Sequence, residues 1–153
     1  MTETRLDFGI LLILACAEFV NDLRQALAEQ GFDDQGRSDG YLLRTVGANP
    51  LTVSELAERL EISKQGAGQI VDDMERRGYV ERRPDPADRR ARLLYLTARG
   101  QDALASARRF HQQYERRMIK THGREAVAAM RTLLGAMAGP GQMADPRFRP
   151  MYL

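Results

Sequence analysis

The sequence predicts a mainly α-helical fold with a small β-hairpin wing, in which a winged helix-turn-helix core is flanked by long N- and C-terminal helices. Three observations point there. Apolar residues recur at helical spacing over most of the chain. Two N-cap signals, Thr52 and Ser63, open two short helices in succession. The apolar period then shortens to two over residues 79–83 and 92–96, on either side of a tip rich in Pro and Asp.

The first helix is carried by Leu6, Ile13, Val20 and Leu27, seven residues apart, with Ile10 and Ala17 between them. It spans roughly 24 residues and is apolar nearly all round at its start, so it needs cover on more than one side, for which a second copy of the chain is suited. Residues 8–17 (FGILLILACA) also resemble the core of an export signal. They are far short of the ~20 residues a spanning helix needs, and Glu3, Arg5 and Asp7 before them sum to −1 where such a signal carries positive charge. A loop at Gly31–Gly36 leads to a short helix over residues 38–46, stopped by Gly47 and Pro50. Thr52-Val53-Ser54-Glu55 is a capping box, opening a helix whose inner side is Leu56, Ala57 and Leu60. After Glu61-Ile62, Ser63 caps a helix to about residue 77 with Ala67, Ile70, Val71 and Met74 inward, and Gly78 ends it as a C′ residue. Two short helices across so tight a turn read as a helix-turn-helix, and the hairpin that follows makes a wing. Thr97 caps a long helix to about His122 with the stripe Leu104, Ala107, Phe110, Tyr114 and Met118. Gly123 breaks it, and residues 124–137 form a last helix with Val127, Met130, Leu133, Leu134 and Met137 inward. From Gly139 on, Gly and Pro suggest a flexible tail. The expected divisions are 1–47, 48–97, 98–138 and 139–153, within one domain overall.

Charge patterning sharpens this. The 153 residues hold 23 Lys+Arg against 21 Asp+Glu, a net +2. Residues 1–40 contain three basic and eight acidic groups, net −5, while the rest contain 20 and 13, net +7. Residues 76–99 alone hold eight Arg and three acids, net +5. All the cations but Lys64 and Lys120 are Arg, whose planar fork suits phosphates and guanine edges, although genome base composition also enriches Arg. One Cys excludes an intrachain disulfide, and two separated His with that Cys make no metal pattern. No phosphate loop, Gly-x-Ser-x-Gly elbow or helical His pair is present, so neither enzyme activity nor a cofactor is expected. Gly66-Ala67-Gly68 is not a dinucleotide loop, because a helix-turn precedes it and the third Gly is missing.

The order of elements, and the stretch LTVSELAERLEISKQGAGQIVDDMERRGYVERRPDPADRRARLLYLTARG (residues 51–100) with its Asp-Arg-Arg wing followed by Leu-Thr-x-x-Gly, resemble the MarR family of bacterial transcriptional regulators. Flanking helices of suitable length extend the similarity over nearly the whole chain. The resemblance implies a cytoplasmic homodimer, joined through the terminal helices, that binds double-stranded DNA at a pseudo-palindromic operator. It further implies a repressor released by a small-molecule or oxidant signal, with no membrane partner.

In a helix-turn-helix the start of the second helix enters the major groove. Gln65 and Gln69 are the expected base readers, since a Gln amide pairs bidentately with adenine, and Ser63 and Lys64 suit phosphates. By resemblance, Arg90 at the wing tip enters a minor groove, Asp88 orients it through a carboxylate-guanidinium fork, and Arg82, Arg89 and Arg92 serve phosphates. Arg76 and Arg77 read as structural, four residues after Asp72 and Asp73. Gly66 and Gly68 cost helix stability and either admit the DNA backbone or reflect drift. Cys16, in an apolar stretch with no cation at i±4, reads as an inert core residue, with redox sensing as an alternative. An effector crevice lined by Tyr41, Arg44, His111 and Tyr114 would suit an aromatic acid, though each also has a plain structural use. A winged-helix protein-protein adaptor that binds no operator is the other alternative.

Overall fold

The computed structural model describes residues 5–36 and 39–144, and it divides into two compact units, Met1–Asp34 and Gln35–Leu153. The first unit is helix α1 (Phe8–Ala28) and its exit turn. Gly31, at φ +87°, takes the left-handed conformation; its N–H donates to the Ala28 carbonyl and that of Phe32 to the Leu27 carbonyl, both at 3.0 Å. This is a Schellman closure, and its hydrophobic pair Leu27 and Phe32 is buried. The other end of α1 is uncovered: Phe8, Ile10, Leu11, Ile13 and Leu14 are exposed. Cys16 is exposed as well, which corrects the expectation of a core thiol. A helix apolar all round cannot bury every side within a chain of this size.

The second unit begins with α2 (Asp39–Ala48), α3 (Val53–Leu60) and α4 (Lys64–Arg76). Gly47 does not stop α2 but lies inside it. A Cβ there would fall 2.6 Å from Leu104 Cδ2 and 3.1 Å from Leu96 Cδ1, so the glycine lets neighbouring side chains approach. The capping box forms as expected: Thr52 Oγ1 accepts from the Glu55 N–H at 3.2 Å, and Glu55 Oε2 accepts from the Thr52 N–H at 2.7 Å. Those bonds from Thr52 hold the Glu55 carboxyl below its ordinary pKa. Helix α3 closes with the same backbone device as α1. Here Glu61, at φ +54°, occupies the left-handed position usually given to glycine, while the Ile62 N–H reaches the Ala57 carbonyl at 3.1 Å. A non-glycine residue costs about 1 kcal/mol there, which the tight turn into Ser63 offsets by burying Ala57 and Leu60 against α4.

Strands β1 (Val80–Pro84) and β2 (Arg92–Leu96) pair antiparallel, from Val80 opposite Leu96 to Pro84 opposite Arg92. Leu51 adds a bridge to Leu94, whose N–H donates to the Leu51 carbonyl at 2.8 Å, and so ties the entry of α3 to the wing. Helices α5 (Ala98–His122), α6 (Arg124–Ala138) and α7 (Pro140–Ala144) complete the unit. The expected flexible tail thus starts as a helical turn; its remainder lies outside the described residues. Of the α6 stripe expected inward, only Val127 is buried, and Met130, Leu133, Leu134 and Met137 are exposed.

One junction fastens these elements together. Gly78, at φ +80°, ends α4, and the Tyr79 N–H donates to the Met74 carbonyl at 2.9 Å. Tyr79 is not the first wing residue but a core one, fully buried between the guanidiniums of Arg77 and Arg99, 5.7 and 4.6 Å from its ring centre. Arg77 in turn donates to Asp39 at 2.5 Å and to Asp73 at 2.6 Å, and the buried Asp39 also accepts from the Gly36 N–H at 2.6 Å. Burial works against the charge on Arg77. The hydrogen bonds and charges of Asp39 and Asp73 outweigh it, so its pKa lies above the ordinary arginine value. Thr97 Oγ1 donates to the Gly78 carbonyl at 2.5 Å and accepts from the Gly100 N–H at 3.0 Å, starting α5 against the same turn.

Gly100 admits no side chain, because a Cβ would sit 2.1 Å from the Tyr79 carbonyl oxygen. Gly100→Ala is therefore expected to lose more than about 2 kcal/mol in denaturant melts, although Ala normally gains about 1 kcal/mol in a helix. Gly68, whose Cβ would meet nothing within 4 Å, should show that ordinary gain on Gly68→Ala. Arg77→Met leaves Asp39 buried without its countercharge and should cost about 3 kcal/mol; a melt within 1 kcal/mol of the parent, read the same way, contradicts the junction's role.

Candidate nucleic-acid interface

The candidate interface takes in two parts of the second unit, the start of α4 and the tip of the wing. Ser63 has extended backbone at φ −65°, ψ 151°, and its Oγ accepts from the Gly66 N–H at 3.0 Å. The hydroxyl keeps its own proton to donate. Gly66 has a local reason to be glycine, since a Cβ would come within 3.2 Å of that Oγ. The open end of α4 then carries the positive end of the helix dipole beside the Lys64 ammonium. With Ala67, Val71 and Met74 buried, Lys64, Gln65 and Gln69 face solvent, and their side chains make no hydrogen bond or ion pair within the described residues.

The wing tip is ordered by its acids. The Asp85 N–H donates to the Ala91 carbonyl at 3.0 Å, closing the loop. Asp85 Oδ1 accepts from the Ala87 N–H at 2.8 Å and Asp88 Oδ1 from the Arg90 N–H at 2.9 Å, two Asx turns in succession. Asp88 therefore shapes the backbone beneath Arg90 rather than forking its guanidinium, a correction to the sequence expectation. An Asp two residues before its partner reaches the amide more easily than the end of a long side chain. Arg89, Arg90 and Arg92 project into solvent with side chains free of partners among the described residues.

The remaining arginines of the +5 segment are engaged. Arg76 pairs with Asp73 at 3.1 Å, and Arg77 and Arg99 hold the Tyr79 junction. Arg83 pairs with Glu81 and lies over the Tyr95 ring at 4.8 Å. Arg82 departs furthest from expectation: it pairs with Glu75, and with Asp72 at 2.5 Å, which leaves Asp72 turned away from Arg76. Sequence spacing did not reveal this, because seven and ten residues separated across a turn leave no helical period to detect. Five of the eight arginines are thus held internally, and the three that are free all sit at the wing tip or on the strand leaving it.

Of the four crevice candidates, the structure brings Arg44 of α2 near His111 of α5. Burial, and then the Arg44 charge, push the His111 pKa below its ordinary value. Tyr114 packs on Phe110 at 5.8 Å between ring centres and lies under Arg117 at 5.1 Å. Two grooves of about 380 and 450 Å³ flank Pro50, and neither includes these four residues. Among the described residues, no helix is long and apolar enough to cross a membrane.

Comparison with known proteins agrees with this architecture. The MarR-family model matches residues 34–91. The HTH-type transcriptional regulator PetP of Rhodobacter capsulatus is 30% identical over 145 residues, 92% of this chain and 84% of that protein. The transcriptional activatory protein BadR of Rhodopseudomonas palustris is 41% identical over 61 residues, so the matched stretch spans only 35% of BadR. Among solved structures, the transcriptional repressor CouR bound to a 23-mer DNA duplex superposes with a TM-score of 0.64 at 28% identity, covering 86% of this chain and 92% of that one.

Proposed function

The chain belongs to the MarR family of transcriptional regulators, and from that premise we propose that it is a homodimer that reads a pseudo-palindromic operator in double-stranded DNA. One observation carries the reading. Within a segment of net +5, the arginines that support the fold are paired, whereas among the described residues Arg89, Arg90 and Arg92 at the wing, like Lys64, Gln65 and Gln69 at the start of α4, are exposed and without a partner. Free cations flanking free amides suit a duplex, because phosphates give affinity and base edges give sequence. Gln65 and Gln69 read bases in the major groove. Ser63, Lys64, Arg89 and Arg92 hold phosphates, while Arg90, raised on the Asp88 turn, enters the adjacent minor groove.

The dimer is supported by the apolar residues left uncovered on the terminal helices. Leu133 and Met137 of α6 are 63% and 55% exposed, and Phe8 and Ile13 of α1 are 67% and 59% exposed. Patches of this kind mark an interface. Repression is the mode CouR is named for, whereas BadR is named an activatory protein. Which of the two applies here depends on where the operator lies relative to the promoter. We further propose a response to a small-molecule effector, as the family resemblance implies, with no residue assigned to its site. The molecule carries out no turnover in this reading, and its place of action is the cytoplasm, with the DNA.

Duplexes selected from a randomised pool supply the test. Arg90→Ala should weaken binding to the selected duplex at least tenfold, a loss of about 1.4 kcal/mol, with an unchanged melt. Gln65→Ala and Gln69→Ala should lower the ratio of selected to scrambled affinity by about 1 to 3 kcal/mol each while sparing scrambled DNA. Equal loss on both duplexes rules out base reading by these amides, and absence of any salt-dependent DNA binding favours the protein-protein adaptor. Leu133→Arg combined with Met137→Arg should convert the dimer to monomer in sedimentation equilibrium and weaken operator binding with it.

A further inference from the structure

We propose that Arg82 is a positioning residue for DNA reading, an internal strut that sets the distance between the recognition helix α4 and the wing, rather than a contact to phosphate; this rests on the DNA-binding function proposed above. The geometry is more specific than a surface ion pair. Glu75 grips Arg82 twice, accepting from its backbone N–H at 3.2 Å through Oε1 and pairing with its guanidinium through Oε2. The strand itself is thereby pinned, not merely a mobile side chain. Asp72, one helical turn earlier on α4, takes the other terminal nitrogen at 2.5 Å. The two carboxylates and the two-pronged guanidinium form a brace whose ends lie on different elements.

Its position gives the brace its consequence. Gln69 lies one turn before Asp72 on α4, so the residues that brace the wing continue the line of residues that read bases. At the other end, Arg82 sits in β1, two residues before Pro84 and the tip that carries Arg89 and Arg90. A duplex presents its major and minor grooves at a fixed separation, so one rigid protein reads both only if helix and wing are held at a matching separation. The arrangement also explains two acids beside a DNA-facing edge, where they would otherwise repel phosphates: the Arg82 guanidinium absorbs them. Its side chain is 26% exposed.

The strut and the phosphate contact make opposite predictions for removal of the acids. Asp72→Asn combined with Glu75→Gln frees Arg82 and makes the edge more positive. If Arg82 is a strut, the double variant and Arg82→Gln should both lower the ratio of selected to scrambled duplex affinity at least fivefold, and the slope of log affinity against log salt should stay as in the parent for Arg82→Gln. Both should also select, from a randomised pool, sites that keep the major-groove bases and lose any preference at the flanking minor-groove positions that the wing addresses. If Arg82 holds a phosphate, Arg82→Gln should reduce the salt slope by about 1 and weaken all duplexes alike, and the double variant should bind more tightly with its base preference intact. Either of those results overturns the strut. Arg82→Lys, which keeps the charge but not the fork, should behave like Arg82→Gln for a strut and like the parent for a phosphate contact. A parent protein with no salt-dependent DNA binding would instead overturn the function on which the strut rests, so the two failures are distinguishable.

Discussion

The burial of Tyr79 between two guanidiniums is the constraint on which the rest of the second unit depends. It lies where the chain leaves α4, at a left-handed glycine, and from that point the polypeptide must start a strand in one direction and receive α5 from another. The two guanidiniums lie 5.7 and 4.6 Å from the ring centre, and Arg99 also donates to the Tyr79 hydroxyl at 3.1 Å; each cation–π contact is worth about 1 kcal/mol when partly desolvated. The Asp39–Arg77 pair adds little net stability, since desolvation of two charges offsets most of their attraction. What it contributes is direction. A bidentate guanidinium shared by Asp39 and Asp73 joins α2 to α4 in one geometry, and Tyr79 passes that geometry on to α5 through its carbonyl, against which Gly100 lies.

Charge in this molecule is sorted by the same logic. A hairpin of net +5 would repel itself if all its arginines pointed outward. Asp73, Glu75, Asp72 and Glu81 instead neutralise the arginines at the end of α4 and on β1, so unpaired positive charge is concentrated at the tip. The tip acids do a different task. Asp85 and Asp88 spend their carboxylates on backbone amides, which shapes the loop while leaving the guanidiniums free. Arg-rich composition therefore covers two states within twenty-four residues, paired within the fold and free at the tip, and only the partners tell them apart.

Features written locally were legible before the structure. The Thr52 capping box, the Ser63 cap, Gly78 as a C′ residue and the strand limits at Arg92 and Leu96 all depend on residues within four positions of one another, and short-range stereochemistry fixes them. Features that depend on tertiary neighbours were not. Gly47 reads as a helix stop until Leu104 and Leu96 are seen to crowd it; Arg77 finds Asp39 thirty-eight residues away; Arg82 finds its acids across a turn. The exposure of Lys64, Gln65 and Gln69 was legible because a helix-turn-helix exposes the start of its second helix whatever else surrounds it. The free or paired state of each arginine was not legible, because that is decided by contacts between elements. Inward-facing residues of α6 and Cys16 were misplaced for a related reason: an apolar stripe shows that something covers it, not that the cover belongs to the same chain.

That uncovered stripe bears on how two wings would address one operator. Helix α5 starts at the Tyr79 junction and runs 25 residues without a break to Gly123, where α6 folds back and Arg131 pairs with Glu115 at 3.1 Å. At 1.5 Å per residue this is a rod of about 37 Å, one end fastened to the wing root, with α6 and its exposed Met130, Leu133 and Met137 packed back along it. Under the proposed dimer, a rod fixed at its base would convert the way two α6 stripes pack into the separation of two wings. Half-sites read by a two-fold dimer recur about 34–36 Å apart, one turn of duplex. Under the proposed dimer, then, a small rotation at the α6 contact would move each wing by an amount multiplied along α5, and base reading would be lost without any change at Gln65, Gln69 or Arg90. Control of DNA binding at a distance requires only that the Tyr79 junction be stiff, and its two cations, its buried ion pair and the backbone contact at Gly100 make it so.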